Sequence, residues 1–215
     1  MWNRAENQVI LVLIRHGRTQ ANREQRYLGT TDESLSESGK ELLREYNMQQ
    51  RYPQVQYLFV SPMKRCMETA EILYPALDPI AIPAWTEMDF GRFEYKNYRE
   101  LKDDAQYQAW IDSGGTLAFP EGESREDFVR RCESGWVRMW EILESACSDQ
   151  DSPKGQQRTE SVSVGAIVHG GTIMALMSTY GNWQYFDCQA ESAKGYICHL
   201  SGWGTNSYIK EAIPL

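Results

Sequence analysis

The stretch "VILVLIRHGRTQAN", Val9 to Asn22, decides how the fold is read. Val9 to Ile14 are apolar with no polar alternation, the pattern of a short strand covered on both faces of a sheet. The run then stops on a cation and an imidazole, Arg15 and His16, with Gly17 next. An ordinary strand ends in a turn of Gly, Pro, Asn or Asp. A late stretch repeats this ending: the apolar run Val162 to Val168 passes into "HGGT", His169 to Thr172. Both places read His-Gly-x-Thr directly after a strand. A third buried run, Tyr57 to Val60, leads into "SPMKR", Ser61 to Arg65.

Helical segments lie between these runs. "SESGKELLREYNMQQ" offers Ser36 as N-cap and places Leu42, Leu43 and Tyr46 on one face. Ser61 as N-cap with Pro62 at the first helical position predicts a second helix. Ser124 and Asp127 form an S-x-x-D capping pattern. Phe128, Cys132, Trp136, Met139 and Leu143 then recur at helical spacing, and Trp136 and Met139 read as core. "YICHL" and "SYIK" around "SGWGTN" predict a terminal hairpin or two edge strands. The polar stretch Ser148 to Ser161 reads as a surface loop within one domain spanning residues 1–215. Strands alternating with amphipathic helices indicate an α/β fold with a largely parallel sheet.

Composition limits the functions to consider. The chain has 215 residues, 41% hydrophobic and 12% aromatic, enough for a sizeable core. A net charge of -8 argues against general binding to nucleic acid or to an anionic membrane. The five cysteines are scattered and form no C-x-x-C pair, so neither a zinc ribbon nor a thioredoxin-like motif is indicated. Reduced thiols, a polar "MWNRAENQ" opening unlike a signal-peptide core, and no run of membrane-spanning length predict a soluble, cytoplasmic protein.

In a parallel sheet the strand ends meet at one carboxyl edge, where α/β folds bind ligands. His16 and His169 should therefore converge there with Arg15 and Arg65. Two guanidiniums and two imidazoles suit a phosphoryl group, whose oxygens accept paired Arg hydrogen bonds. The helix start at Ser61-Pro62 would add backbone N–H groups for an anion. An imidazole is a nucleophile near neutral pH when it is uncharged and its other nitrogen donates to a fixed acceptor. Clustered cations stabilise charge on the transferring oxygens, so no metal is expected. A carboxyl with a raised pKa could protonate the leaving alkoxide and then activate water. Glu87 in "EMDFG" is the leading candidate, and Asp89 and Glu94, read as solvated loop acids, keep the assignment open. His199, in the terminal strand-like run, reads as structural.

The chain resembles the histidine phosphatase superfamily, which includes the cofactor-dependent phosphoglycerate mutases, from about Val9 to Tyr180. "RHGRTQAN", "LGTTDESLSESG", "SPMKRCMETA", "EMDFGRFE", "PEGES" and "VHGGT" carry the resemblance in family order. It implies a three-layer αβα sandwich with a mostly parallel central sheet flanked by helices. It makes His16 the phosphoryl-accepting nucleophile, and Arg15, Arg65 and His169 its oxygen ligands, with Gly170 beside them. Asn22 would line the pocket and Glu87 would be the proton donor. Gly29 would approach the substrate, and Glu123 and Ser124 would lie near the rim. The family often has Gly where this chain has Tyr95, so a larger side chain is expected beside the acid loop.

The short stretch from Glu94 to Pro120, and "RYLGTTDESL" in place of an F-T-G-W run, look like the phosphatase branch that includes α-ribazole-phosphate and broad-specificity phosphatases. The expectation is metal-independent hydrolysis of a small phosphorylated metabolite through a phosphohistidine, with no cofactor. A phosphoglycerate mutase and a catalytically silent phosphate-binding protein are the alternatives. A homodimer is a possible assembly. Tyr27, Tyr95, Tyr98, Trp110 and Phe119 lie near pocket segments and are read as core in preference to ligand-stacking groups.

Overall fold

The computed structural model describes residues 9–148 and 161–215. The "MWNRAENQ" opening and the loop expected between Ser148 and Ser161 lie outside the described residues. Strand β1 is Val9–Arg15, followed by the short helix α1, Gln20–Arg23, and by α2, Glu37–Met48. Next come β2 (Tyr57–Val60), α3 (Lys64–Leu73) and β3 (Ile80–Ala81). Helices α4 (Tyr98–Leu101), α5 (Ala105–Asp112) and α6 (Arg125–Ser148) precede β4 (Val162–Val168). The chain ends with α7 (Gly170–Tyr180), β5 (Gly195–Ser201) and β6 (Tyr208–Pro214).

The sheet order is β3-β2-β4-β1-β5-β6. The β3-β2, β2-β4 and β4-β1 pairs are parallel, and the terminal hairpin β5-β6 adds two antiparallel strands beside β1. The unbroken apolar runs have a direct cause. Val9, Leu11 and Leu13 of β1 enter a core with α6 and α7, while Val12 and Ile14 enter a second core with α2 and α3. A strand with a core on each face has no position to leave polar. Leu43 of α2 and the Phe128, Cys132, Trp136, Met139, Leu143 stripe of α6 are buried as their spacing predicts.

Two helix starts differ in outcome. Ser124 behaves as expected: its Oγ accepts the Asp127 N–H at 3.0 Å. Ser61 does not cap α3, which begins at Lys64 after Met63 and has no side-chain cap from it. The Lys64 N–H instead donates to Asp32 Oδ1 at 2.7 Å, which frees the Ser61 hydroxyl for another partner.

The topology sets the site. β4 inserts between β1 and β2, pairing Arg15 with Val168 at the carboxyl edge. The His16 N–H then donates to Val168 O at 3.0 Å, and the Ser61 N–H to Ile167 O at 3.0 Å. Three distant strand ends are thereby held side by side at the point where ligands bind in open α/β sheets.

Candidate active site

His16 stands at the end of β1, 3% exposed, and lines a cavity of about 450 Å³. Its Nδ1 lies 2.7 Å from the Gly17 carbonyl, so Nδ1–H is the donor and Nε2 carries the lone pair. The Gly17 N–H in turn donates to Thr69 Oγ1 at 3.0 Å, which ties that peptide to α3. Burial, aided by the Arg65 and Arg15 guanidiniums, holds the His16 pKa well below 6.5. The ring is therefore neutral at pH 7, the form that can attack.

His169 is the other half of the sequence echo, and its surroundings differ. It is fully buried, with its ring centroid 5.2 Å from that of His16 and the planes at 66°. Nδ1 accepts from Arg65 Nε at 3.3 Å, and Nε2 donates to Ser61 Oγ at 2.8 Å. Burial is the main cause of its lowered pKa, with Arg65 and His16 adding to it. Arg65 is also fully buried. Its Nη1 donates to Thr31 O and its Nη2 to Gly29 O, each at 2.9 Å. Neither His169 nor Arg65 is on the cavity wall. Expected as direct oxygen ligands, they lie behind the cavity lining, where Arg65 bonds to two carbonyls and to His169, and His169 to Ser61.

Arg15 does face the cavity. Nη1 donates to Ala190 O at 2.7 Å, while Nε is buried without a partner. A buried, unpaired guanidinium donor is costly unless an anion completes it. The helix N-terminus at the cavity is that of α7, through Gly170 and Gly171, and not that of α3 as "SPMKR" suggested. Asn22 also lines the wall, held in α1, where its Oδ1 accepts the N–H of Thr19 at 3.2 Å and the Thr19 hydroxyl accepts its own N–H.

Glu87 is the carboxylate in this cavity. Oε1 accepts the Met88 N–H at 2.9 Å and Oε2 the Gly171 N–H at 3.3 Å. Burial raises its pKa against those bonds and the nearby Arg65 and Arg15 charges. A Cβ on Gly171 would lie 2.3 Å from Glu87 Oε1, so this glycine makes room for the carboxyl. Asp89 and Glu94 are half-buried and off the cavity wall. The Asp89 carboxylate accepts the Gly91 N–H, and Glu94 accepts the N–H groups of Gly29 and Thr31.

Several expected rim residues are structural. The Gly29 N–H goes to Glu94 and its carbonyl to Arg65, and Gly29 is off the cavity wall. Glu123 is off the wall as well, paired to Arg131 at 2.8 Å. Arg131 had no sequence signal, since it is one charged residue on a long helix. Its guanidinium donates to the carbonyls of Ala84, Thr86 and Glu87 and so braces the acid loop from below. Tyr95 turns away from the cavity at φ 60°, the left-handed region where glycine is favoured, and donates to Glu33 Oε1. Tyr98 is on the surface. Phe119 belongs to the core as read, with Tyr27 and Trp110 packed against it, and all three also line the cavity.

An anion pocket at the carboxyl edge of an α/β sheet, with a neutral histidine on its floor and a second histidine behind it, defines a class of phosphate-handling proteins. The chain belongs to the histidine phosphatase superfamily (branch 1), whose sequence profile matches residues 11–193. It is 29% identical over 127 residues to the adenosylcobalamin/alpha-ribazole phosphatase of Salmonella typhimurium, covering 57% of this chain and 63% of that protein. It is also 29% identical over 138 residues to a probable phosphoglycerate mutase of Enterobacter sp., covering 62% of this chain and 64% of that one. The matches thus span slightly less than two-thirds of those relatives. The crystal structure of the alpha-ribazole phosphatase from Shigella flexneri superposes with a TM-score of 0.71 at 22% identity, covering 94% of this chain and 95% of that chain. That likeness establishes the common fold. Among the described residues no helix is long and apolar enough to cross a membrane.

Proposed function

We propose that the chain hydrolyses a phosphomonoester through a phosphohistidine on His16. One observation carries the reading: the Nδ1 contact to Gly17 O leaves Nε2 as the unprotonated nitrogen of a cavity-lining ring. In the first step Nε2 attacks phosphorus and the bond from phosphorus to the ester oxygen breaks. The Glu87 carboxyl, whose pKa burial raises, gives its proton to the departing alkoxide. In the second step water attacks, Glu87 takes its proton, and the P–N bond returns its electron pair to Nε2. Arg15 and the α7 N-terminus face the charge on the transferring oxygens, with Arg65 behind.

The shared ancestry with phosphatases and a carboxyl of raised pKa in the same cavity as His16 support hydrolysis. A mutase is the second reading, supported by the likeness to the Enterobacter relative. Steady phosphate release from an ester in the absence of 2,3-bisphosphoglycerate, with acid-labile label on His16, is the expected result. Conversion of 3-phosphoglycerate to 2-phosphoglycerate without release would overturn it, and EDTA should leave the rate unchanged.

A further inference from the structure

The cavity is far larger than a phosphoryl group needs. Its volume of about 450 Å³ corresponds to roughly fifteen waters at liquid density. Arg15, His16 and Glu87 share the lining with two aromatic groups. In one, Tyr27, Phe90, Trp110 and Phe119 interlock: Tyr27 lies 5.1 Å from Phe90, Phe90 5.0 Å from Phe119, and Phe119 4.8 Å from Trp110. The Tyr27 hydroxyl is within 3.0 Å of that of Tyr107, which fixes this group to α5. In the other, Tyr185 and Phe186, in the turn after α7, meet edge to face at 5.1 Å.

The rim is narrow. Gly115, at φ 72°, lies where a Cβ would fall 3.2 Å from Phe186 Cζ and 3.4 Å from Trp110 Cζ2. The lining has two further cations. Arg26 is engaged by Glu24, Glu100 and the Tyr95 carbonyl. Arg125 lies 5.5 Å and 5.7 Å from the ring centroids of Tyr185 and Phe186. A short carboxylated leaving group would leave the aromatic walls in contact with water. A thin apolar ring would remove both from it.

Resting on the phosphatase reading for turnover, we infer that the cavity selects phosphomonoesters whose leaving alcohol carries a flat aromatic ring, seated between the Tyr27–Trp110–Phe119 wall and Tyr185–Phe186. The test compares 2-naphthylmethyl phosphate and benzyl phosphate with glycerol 1-phosphate and 3-phosphoglycerate. All four release a primary alkoxide, so differences in kcat/KM report binding of the leaving group. The aromatic esters should be preferred by about 100-fold. Phe186, 46% exposed, can be changed to Ser without opening the core. F186S and W110A should each reduce that preference by about 10-fold or more. A binding arm runs independently of turnover: wild type should bind benzylphosphonate at least 10-fold more tightly than methylphosphonate, by calorimetry. Turnover of the whole panel without aromatic preference overturns the inference and leaves the phosphatase reading standing. No turnover with preserved tight binding of benzylphosphonate overturns only the latter. Best turnover with 3-phosphoglycerate, lost in R125M, would replace the aromatic group with a carboxylate.

Discussion

His16 and His169 end two neighbouring parallel strands with the same His-Gly-x-Thr signature, yet they are differently placed. After β1 the backbone leaves the sheet through Gly17, whose carbonyl takes Nδ1 and leaves Nε2 free at the cavity. After β4 it enters α7 at once, and His169 becomes that helix's N-cap residue with both ring nitrogens engaged. Equal motifs therefore reach unequal settings: one ring keeps an unpaired nitrogen, as the proposed nucleophile needs, and the other has both nitrogens bonded.

The strongest way to break this comparison is H16A. It should lower kcat/KM by about 10⁴-fold or more, with radiolabel from substrate lost from the protein. Label on His169 in that variant would reverse the two roles. E87Q comes next, with a loss of about 10²- to 10³-fold. The pH profile sharpens the assignment. The proposed mechanism needs neutral His16 and protonated Glu87. Because the His16 pKa is lowered, the acid limb should lie well below 6.5, and because the Glu87 pKa is raised, the alkaline limb should lie above 4.5. The alkaline limb should vanish in E87Q.

G171A should cost about 10-fold in kcat, since its Cβ would displace the Glu87 carboxyl, with little change in KM. S61A is the mildest. Removing the partner of His169 Nε2 should lower stability by about 1–3 kcal/mol, read from chemical denaturation, and reduce kcat less than G171A does. Stability should also depend on pH through both histidines. Their folded pKa values are depressed, so the unfolded chain binds more protons. Stability is then full above 6.5 and falls as pH drops below it. A titration of the unfolding midpoint between pH 8 and 5 checks that sign.

Much of the site was legible because strand ends are local features. β2 and β4 have the bounds their apolar runs suggest, and β1 extends one residue further to Arg15, because a strand buried on both faces has no polar positions. His16, Arg15, Asn22, Glu87 and Gly170 all reach the cavity. Arg65, His169, Gly29 and Glu123 are off the cavity lining and bond to other protein groups. Whether a guanidinium meets a ligand or a backbone carbonyl depends on loops from elsewhere in the chain, here Gly29 and Thr31. Arg131, Phe90, Tyr185 and Phe186 were missed for the same reason, since they act across elements far apart in sequence, whereas Tyr27, Trp110 and Phe119 were placed near pocket segments.

The amino-acid sequence by itself determined the α/β class, the strand ends that carry Arg15, His16 and His169, and the apolar stripe of α6. Those features follow from periodicity and from residue types adjacent in the chain. Only the tertiary structure decided that these strand ends meet, which helix N-terminus lies at the cavity, and which core aromatics also line it. The meeting of the strand ends depends on the insertion of β4 between β1 and β2, a pairing of residues about 100 to 150 positions apart that no local pattern encodes.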